Sequence, residues 1–401
     1  MVAGGGREAE RETEGLKVVC YFTNWGHYRE GRAQFSPRDV DPSLCTHINY
    51  GFAVLHPENL TVVPLDDWTD IQNKFYSQLV GLRKSNPRLK VLLAVGGWND
   101  SEGDKYSRLV ASQENIARFV ETTLDFLAEW GFDGLDLDWE YPVCWQVDCE
   151  RGPARDRPGF SQLVSQLAAA FRPRGLLLSA AVSPSQAVIE QAYEVAVLNT
   201  SLDLINVMTY DYHGYWDKTT GHISPLLQAE ESMEFWASLG AERRKLVMGL
   251  PLYGQSFTLA DTEQTGLNSP VLGRGEPGSF TRAGGFLAYY EICQKIQEES
   301  WTKVSTTPYQ GPYAFSGDQW VGFDDLEMVG RKAEHIKEKQ YGGAMVWAMD
   351  LDDFSNLCGC GQFPLLKRIN SVLRDFPALD LSQCSQEEEK DNSETSEEPQ
   401  V

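Results

Sequence analysis

The chain has 401 residues, is 42% hydrophobic and 11% aromatic, and carries a formal net charge of −23. That length holds one large domain or two ordinary ones. The acidic balance argues against nucleic acid and anionic membrane as partners, both of which need basic stripes, and suits a neutral or basic ligand. No apolar run reaches the ~18–20 residues of a membrane span.

Residues 1–15 are Gly- and Glu-rich, lack a secretory h-region and read as a disordered leader. The first strand is Lys17–Thr23, β-branched and aromatic, and the second is His47–Leu55. A helical period runs from about Thr69 to Lys84 and stops at Asn86-Pro87. Lys90–Gly97 is a continuous apolar strand, the kind buried on both faces. An amphipathic helix over about Gln113–Glu129 leads into Gly134–Pro142, the fourth strand. The alternation continues with a helix near Pro158–Phe171, strand Leu176–Ser183, a helix near Gln186–Leu198 and strand Leu202–Asp211. Helix Leu226–Leu239 and strand Lys245–Tyr253 follow.

From Gly254 to about Val321 the rhythm breaks into a stretch rich in Gly, Pro, Thr and Tyr, too long for an ordinary βα connection. It reads as a small α+β subdomain with one helix near Ala288–Glu299, inserted at about 255–320 between strand 7 and helix 7. The rhythm returns with a helix at about Asp325–Lys339, strand Gly342–Asp350 and a last helix at about Phe363–Phe376. Eight strands with crossovers predict an α/β fold, a (β/α)8 TIM barrel spanning 16–380. A doubly wound open sheet is the alternative, but no Gly-rich phosphate loop follows any strand. Residues 381–401 read as an acidic disordered tail or linker; Glu387–Val401 alone carries seven acids against one Lys.

The fourth strand is the chemical anomaly. Asp136, Asp138 and Glu140 share one face, and Leu135, Leu137 and Trp139 share the other. Carboxylates about 6.6–7 Å apart are expensive to bury, and at least one of them is driven to hold a proton near neutrality. A protonated carboxyl beside an ionised one is the equipment of a glycosidase. A cation site or a solvated acidic edge is the plainer alternative. In a barrel the strands deliver their C-terminal ends to the active site, here Thr23-Asn24-Trp25, Gly97-Trp98-Asn99, Glu140-Tyr141, Tyr210-Asp211-Tyr212, Tyr253 and Trp347–Asp350. Eight cysteines without zinc-type pairing, and sequons at Asn59, Asn99 and Asn199, favour an oxidising, extracellular setting.

The run Asp133-Gly134-Leu135-Asp136-Leu137-Asp138-Trp139-Glu140 resembles the D-x-x-D-x-D-x-E signature of family 18 glycoside hydrolases, the chitinases. The likeness extends through Tyr21–Trp25, Gly96-Gly97-Trp98, Met208–Asp211, Gly249–Gly254 and Gly343–Trp347, nearly the whole chain. Cys144–Cys149 looks most like the arthropod members with more than one domain.

The resemblance implies a substrate-assisted, retaining hydrolysis of β-1,4-linked N-acetylglucosamine, endo-acting, with no metal and no cofactor. In it Glu140 is the acid, and Asp138 holds the substrate acetamide and shares a proton with Asp136. Tyr210 and Asp211 hold the acetamide's other end, and Trp347 is the floor. It further places Tyr21, Trp25, Trp98, Asn99, Tyr141, Met208, Trp216 and Tyr253 against the sugars, with core or loop packing as the plain alternative for the tryptophans. The implied partners are chitin and chito-oligosaccharides, the implied state a secreted monomer; a membrane anchor in a longer chain stays open.

Two departures stand out. Gln255 occupies a position where the family commonly has Arg, which loses a charge and a bidentate donor. Ala94-Val95 precede the paired glycines where a Ser is often found. The resemblance implies disulfides Cys20–Cys45 and Cys293–Cys358. Cys144 with Cys149 closes a short loop, and Cys360 with Cys384 follows by arithmetic, two free thiols being the alternative. The rivals in function are a chitin-binding lectin of the same fold, which typically lacks the signature Glu or a neighbouring acid, and an endo-β-N-acetylglucosaminidase, which needs a more open groove.

Overall fold

Eight parallel strands close on themselves in the structure, a computed structural model that describes residues 15–379 and Cys384. The predicted leader and acidic tail otherwise lie outside the described residues. The strands are β1 (Lys17–Thr23), β2 (His47–Leu55), β3 (Val62–Pro64), β4 (Lys90–Gly96), β5 (Gly134–Asp138), β6 (Leu177–Val182), β7 (Leu204–Val207) and β8 (Leu246–Pro251). After them come β9 (Tyr253–Leu259), β10 (Val271–Arg274), β11 (Phe286–Ala288), β12 (Thr302–Val304), β13 (Tyr313–Ser316), β14 (Gln319–Gly322) and β15 (Gly343–Trp347). The barrel order is β1-β2-β4-β5-β6-β7-β8-β15, and β15 pairs back to β1. β3 folds antiparallel onto β2, a hairpin strand that its three-residue length hid from the periodicity.

Register places the acidic strand. Ala94 pairs with Asp136, Asp136 with Ser179, and Ala181 with Asn206. Partners in a parallel ladder share a face, so Asp136 and Ser179 both point into the barrel. The opposite face of β5 packs outward: Leu135 and Leu137 are buried, and the Trp139 ring lies 5.5 Å from Tyr106 and 6.0 Å from Phe160.

The insertion is a six-stranded antiparallel sheet, β10-β9-β14-β13-β12 with β11 on β9, plus one helix over Tyr289–Gln297. A single residue, Leu252, separates β8 from β9, so the barrel strand runs almost directly into the wall it supports. Its private core is Phe257, Leu259, Tyr313 and Trp320. All eight cysteines are paired, as Cys20–Cys45, Cys144–Cys149, Cys293–Cys358 and Cys360–Cys384. The third of these ties the insertion's helix to the loop after β15.

Several predicted elements are shorter or broken. The helix expected over Thr69–Lys84 is a π turn at Trp68–Gln72, an α-helix at Phe75–Gly81 and a 3-10 turn at Leu82–Lys84. Lys74 at φ +61° breaks it, beside a turn whose buried Asp70 accepts from Asn24 Nδ2 at 2.8 Å and the Tyr50 hydroxyl at 2.5 Å. The helix expected near Gln186–Leu198 is two, Gln186–Ala192 and Val195–Ser201. β7 stops at Val207 instead of Asp211, because Thr209 N–H turns back to Val207 O and Tyr210 N–H to Met208 O.

Candidate active site

The acidic face does not run as one strand. β5 ends at Asp138, and Glu140 stands on the bend beyond it, followed by a cis Glu140–Tyr141 peptide. The reason lies in the β4 loop. The Asp138 carbonyl accepts from Gly97 N–H at 2.8 Å and from Ser101 Oγ at 3.3 Å, while Ser101 Oγ accepts the Glu140 N–H at 2.9 Å. Those bonds replace the sheet ladder and aim Glu140 into the mouth of the barrel. Gly96 makes the approach possible: a Cβ on it, at φ +123°, would lie 2.0 Å from the Asp138 oxygen. Ser101 was not singled out from the sequence; its place inside a sequon masked it.

Below Glu140 the carboxylates differ in their surroundings. Asp136, fully buried, accepts from the Tyr21 hydroxyl at 2.5 Å, Ser179 Oγ at 2.5 Å and Asn206 Nδ2 at 3.1 Å. Burial pushes it up to about 6, and those three donors restrain the rise. Ser179 and Asn206 are thus site residues that sequence reading missed, and together with Tyr21 they meet the demand of Asp136 where Ala94 cannot. Asp138, 3% exposed, is different: its Oδ1 is buried with no hydrogen-bond partner among the described residues. Burial, then Glu140 and Asp136, hold its carboxyl well above the usual range. Glu140 is raised to about 8 by burial and by the Asp211 carboxylate. Asp133, the first acid of the motif, is away from this group; it receives Arg83 Nη1 at 2.7 Å and Val91 N–H at 2.8 Å and ties the strand starts together.

The walls come from other strand ends. Tyr210 is buried within electrostatic reach of Asp138, Asp211, Glu140 and Asp136. Its segment is held by Thr209 Oγ1 on Gly249 O at 2.7 Å and Ser224 Oγ on Thr209 O at 2.6 Å. Asp211, at φ +56°, receives the Tyr253 hydroxyl and Gln255 Nε2, each at 2.8 Å. Gln255 therefore gives Asp211 a neutral donor and brings no cation. Tyr141 is buried beside Glu140 and Asp138, and Met208 is buried just past the end of β7. Trp347 meets Tyr21 at 5.2 Å, Phe52 at 5.7 Å and Trp25 at 6.2 Å, an aromatic floor in which Phe52 is a further unpredicted member.

Beyond that floor opens a cavity of about 470 Å³, lined by Trp25, Tyr28 and Trp347 from the barrel and Phe280, Arg282 and Phe286 from the insertion. Trp98, Asn99 and Trp216 stand apart from the buried cluster, exposed on the rim. The Trp216 turn is braced by the insertion through Arg274, whose guanidinium lies 4.3 Å over the Tyr215 ring. Among the described residues no His, Cys, Asp and Glu group is placed to hold a metal.

A barrel with stacked carboxyl groups at its C-terminal mouth and an aromatic-lined cleft defines the class of carbohydrate-cleaving barrels. The model of glycosyl hydrolases family 18 matches residues 17–352, and the chain belongs to that family. It is 56% identical over 379 residues to probable chitinase 10 of Drosophila melanogaster, covering 92% of this chain and 16% of that protein. The chain thus spans about a sixth of that relative's length. Catalytic domain 2 of the Ostrinia furnacalis group II chitinase, solved with a chito-oligosaccharide, superposes with a TM-score of 0.90 at 49% identity, covering 92% and 98% of the two chains. Human YKL-39, described as a pseudo-chitinase that retains chitooligosaccharide binding, has a TM-score of 0.82 at 35% identity, covering 89% and 99%.

Proposed function

We propose that the protein is a secreted chitinase that hydrolyses β-1,4-linked N-acetylglucosamine polymers by a substrate-assisted, retaining mechanism. The observation that carries this reading is the contrast between two neighbouring aspartates. Asp136 is satisfied by three protein donors, whereas Asp138, directly between Asp136 and the acid, keeps a buried oxygen without a partner among the described residues. Such an oxygen calls for a donor from the ligand, and an acetamide N–H supplies one.

Each step follows from that placement. Glu140, protonated at neutral pH, gives its proton to the glycosidic oxygen as the C1–O bond breaks. The acetamide carbonyl oxygen of the same sugar bonds to C1 and forms an oxazolinium ring. Asp138 takes the N–H and, ionised, balances the ring's positive charge, while the proton it releases is shared toward Asp136. Tyr210 and Asp211 orient the carbonyl end, and Trp347 supports the sugar from below. Water then adds to C1 from the face the leaving group vacated, Glu140 accepts its proton, and the anomer is retained.

The exposed Trp98 and Trp216, in addition to the Trp25–Trp347 floor, support binding along a chain and hence endo action. The four disulfides suit an extracellular setting. The pseudo-chitinase neighbour favours a lectin as the second reading, against which the full set of Asp136, Asp138, Glu140 and Tyr210 stands.

The test compares fully N-acetylated chitin oligomers with fully deacetylated ones of the same length. Cleavage is expected only of the acetylated set, with the β-anomer formed first. Efficient cleavage of the deacetylated set would rule out substrate assistance, and binding without cleavage of either would establish the lectin.

A further inference from the structure

Residues 143–152, in the connection between the catalytic strand and the helix Asp156–Phe171, form an unusual clamp. Val143, Gln146 and Val147 all adopt left-handed backbone, at φ +64°, +52° and +69°. Two of them are β-branched, a residue type for which that region is a true outlier. A conformation of this kind persists only where its surroundings over-determine it, and such sites cluster where function needs a fixed geometry. Here the surroundings do so twice. The Cys144–Cys149 disulfide closes the loop. From below, the buried carboxylate of Asp156 accepts from Ser107 Oγ at 2.5 Å, Trp145 Nε1 at 3.0 Å and Val143 N–H at 3.3 Å.

What the clamp presents is Gln146. Its backbone N–H donates to the carbonyl oxygen of Glu140 at 3.2 Å, and its side-chain Nε2 donates to the carbonyl oxygen of Trp98 at 2.8 Å. One residue thereby spans the main chain of the acid and the main chain of the exposed tryptophan beside it. The Trp347–Trp25–Phe52 rings form a separate floor. Trp98, half exposed and joined through Gln146 to the acid's own segment, is not among those rings. Val147, also half exposed, extends the same rim.

We propose that Gln146 is a positioning residue for the leaving-group side of the cleft, fixing the Trp98 platform relative to Glu140 and so setting preference for substrates with sugars beyond the scissile bond. The inference rests on the hydrolase reading above. A clamp that served stability alone would treat every substrate alike, and that difference is measurable.

The experiment determines kcat/KM for two substrates with wild type, Gln146→Ala and Gln146→Glu, the second keeping the shape but losing the donor. One substrate is chitin hexamer, with sugars on both sides of the cut. The other is the 4-methylumbelliferyl glycoside of chitobiose, whose leaving group is not a sugar. The ratio of the two values is independent of how much enzyme is folded. It is expected to fall about tenfold in both variants, the scale of a lost positioning contact, with the hexamer KM raised. Cys144→Ser/Cys149→Ser should move the ratio in the same direction. An unchanged ratio, whether both activities hold or drop together, overturns the inference; wild type inactive on both substrates overturns the hydrolase reading beneath it instead.

Discussion

Ser101 holds Glu140 by the backbone: its buried Oγ accepts the Glu140 N–H at 2.9 Å while donating to the Asp138 carbonyl at 3.3 Å. The hydroxyl therefore occupies the place of the next rung of the sheet, and the position of the acid depends on it. Ser101→Ala leaves the Glu140 N–H without this partner and frees the bend. The expected result is a fall in kcat of about 10- to 100-fold with a smaller change in KM, since the loss is in placement of the acid and not in sugar binding. Steady-state kinetics on chitin hexamer, with circular dichroism to confirm folding, measures it.

Tyr21 reaches across the barrel to Asp136 at 2.5 Å. Removing its hydroxyl in Tyr21→Phe takes one of three donors from a buried carboxylate. The charged form loses support, so the Asp136 pKa rises above its present value of about 6 and the acidic limb of the rate profile moves to higher pH. Stability at pH 7 should fall by about 1–3 kcal/mol, the cost of an under-satisfied buried group. Urea denaturation and a kcat/KM profile from pH 4 to pH 9 check the two halves separately; an acidic limb that stays still or moves down contradicts this role for the hydroxyl.

Glu140 has to carry a proton to act, and its pKa of about 8 owes part of its elevation to Asp211. Activity is therefore expected to decline as pH rises through about 8. Asp211→Asn removes the like charge, favours ionised Glu140 and shifts that alkaline limb toward lower pH, by about half a unit to one unit across a partly solvated cleft. Gln255→Arg should move the limb the same way by adding a cation next to Asp211, and it should do so with less loss of kcat. The limb of each variant is read from kcat/KM against pH, and a shift to higher pH would contradict the assignment.

Periodicity alone carried the barrel, because each buried strand reads as an apolar run and the insertion breaks the alternation with Gly, Pro and Tyr. It also carried Asp136 and Asp138, whose positions follow from a two-residue repeat. The end of β5 was not legible. Period two extends through Glu140 in the sequence, but Ser101, 39 positions earlier, intercepts its N–H and stops the ladder. The donors to Asp136 were hidden for a similar reason. Ser179 and Asn206 look like ordinary polar residues in apolar strands, and only the register across β5, β6 and β7 brings them together. Likewise β7 looked longer than it is, since the tight turns at Thr209 and Tyr210 are formed by local backbone bonds that leave no trace in residue type. Gln255 was visible as a departure and Asp211 as a site residue, yet their pairing was not, because the two meet only after β9 folds back over the barrel mouth.

The central claim is that Glu140 supplies the proton for cleavage in a site that otherwise binds chitin, and it is tested most directly with chitin hexamer and the pair wild type and Glu140→Gln. Binding is followed by calorimetry and released oligomers by chromatography. The prediction is rapid release of short N-acetylglucosamine oligomers by wild type and a loss of about 10³-fold or more in Glu140→Gln, with hexamer affinity kept within a few fold. Equal turnover by the two proteins, or binding with no turnover by either, would contradict it.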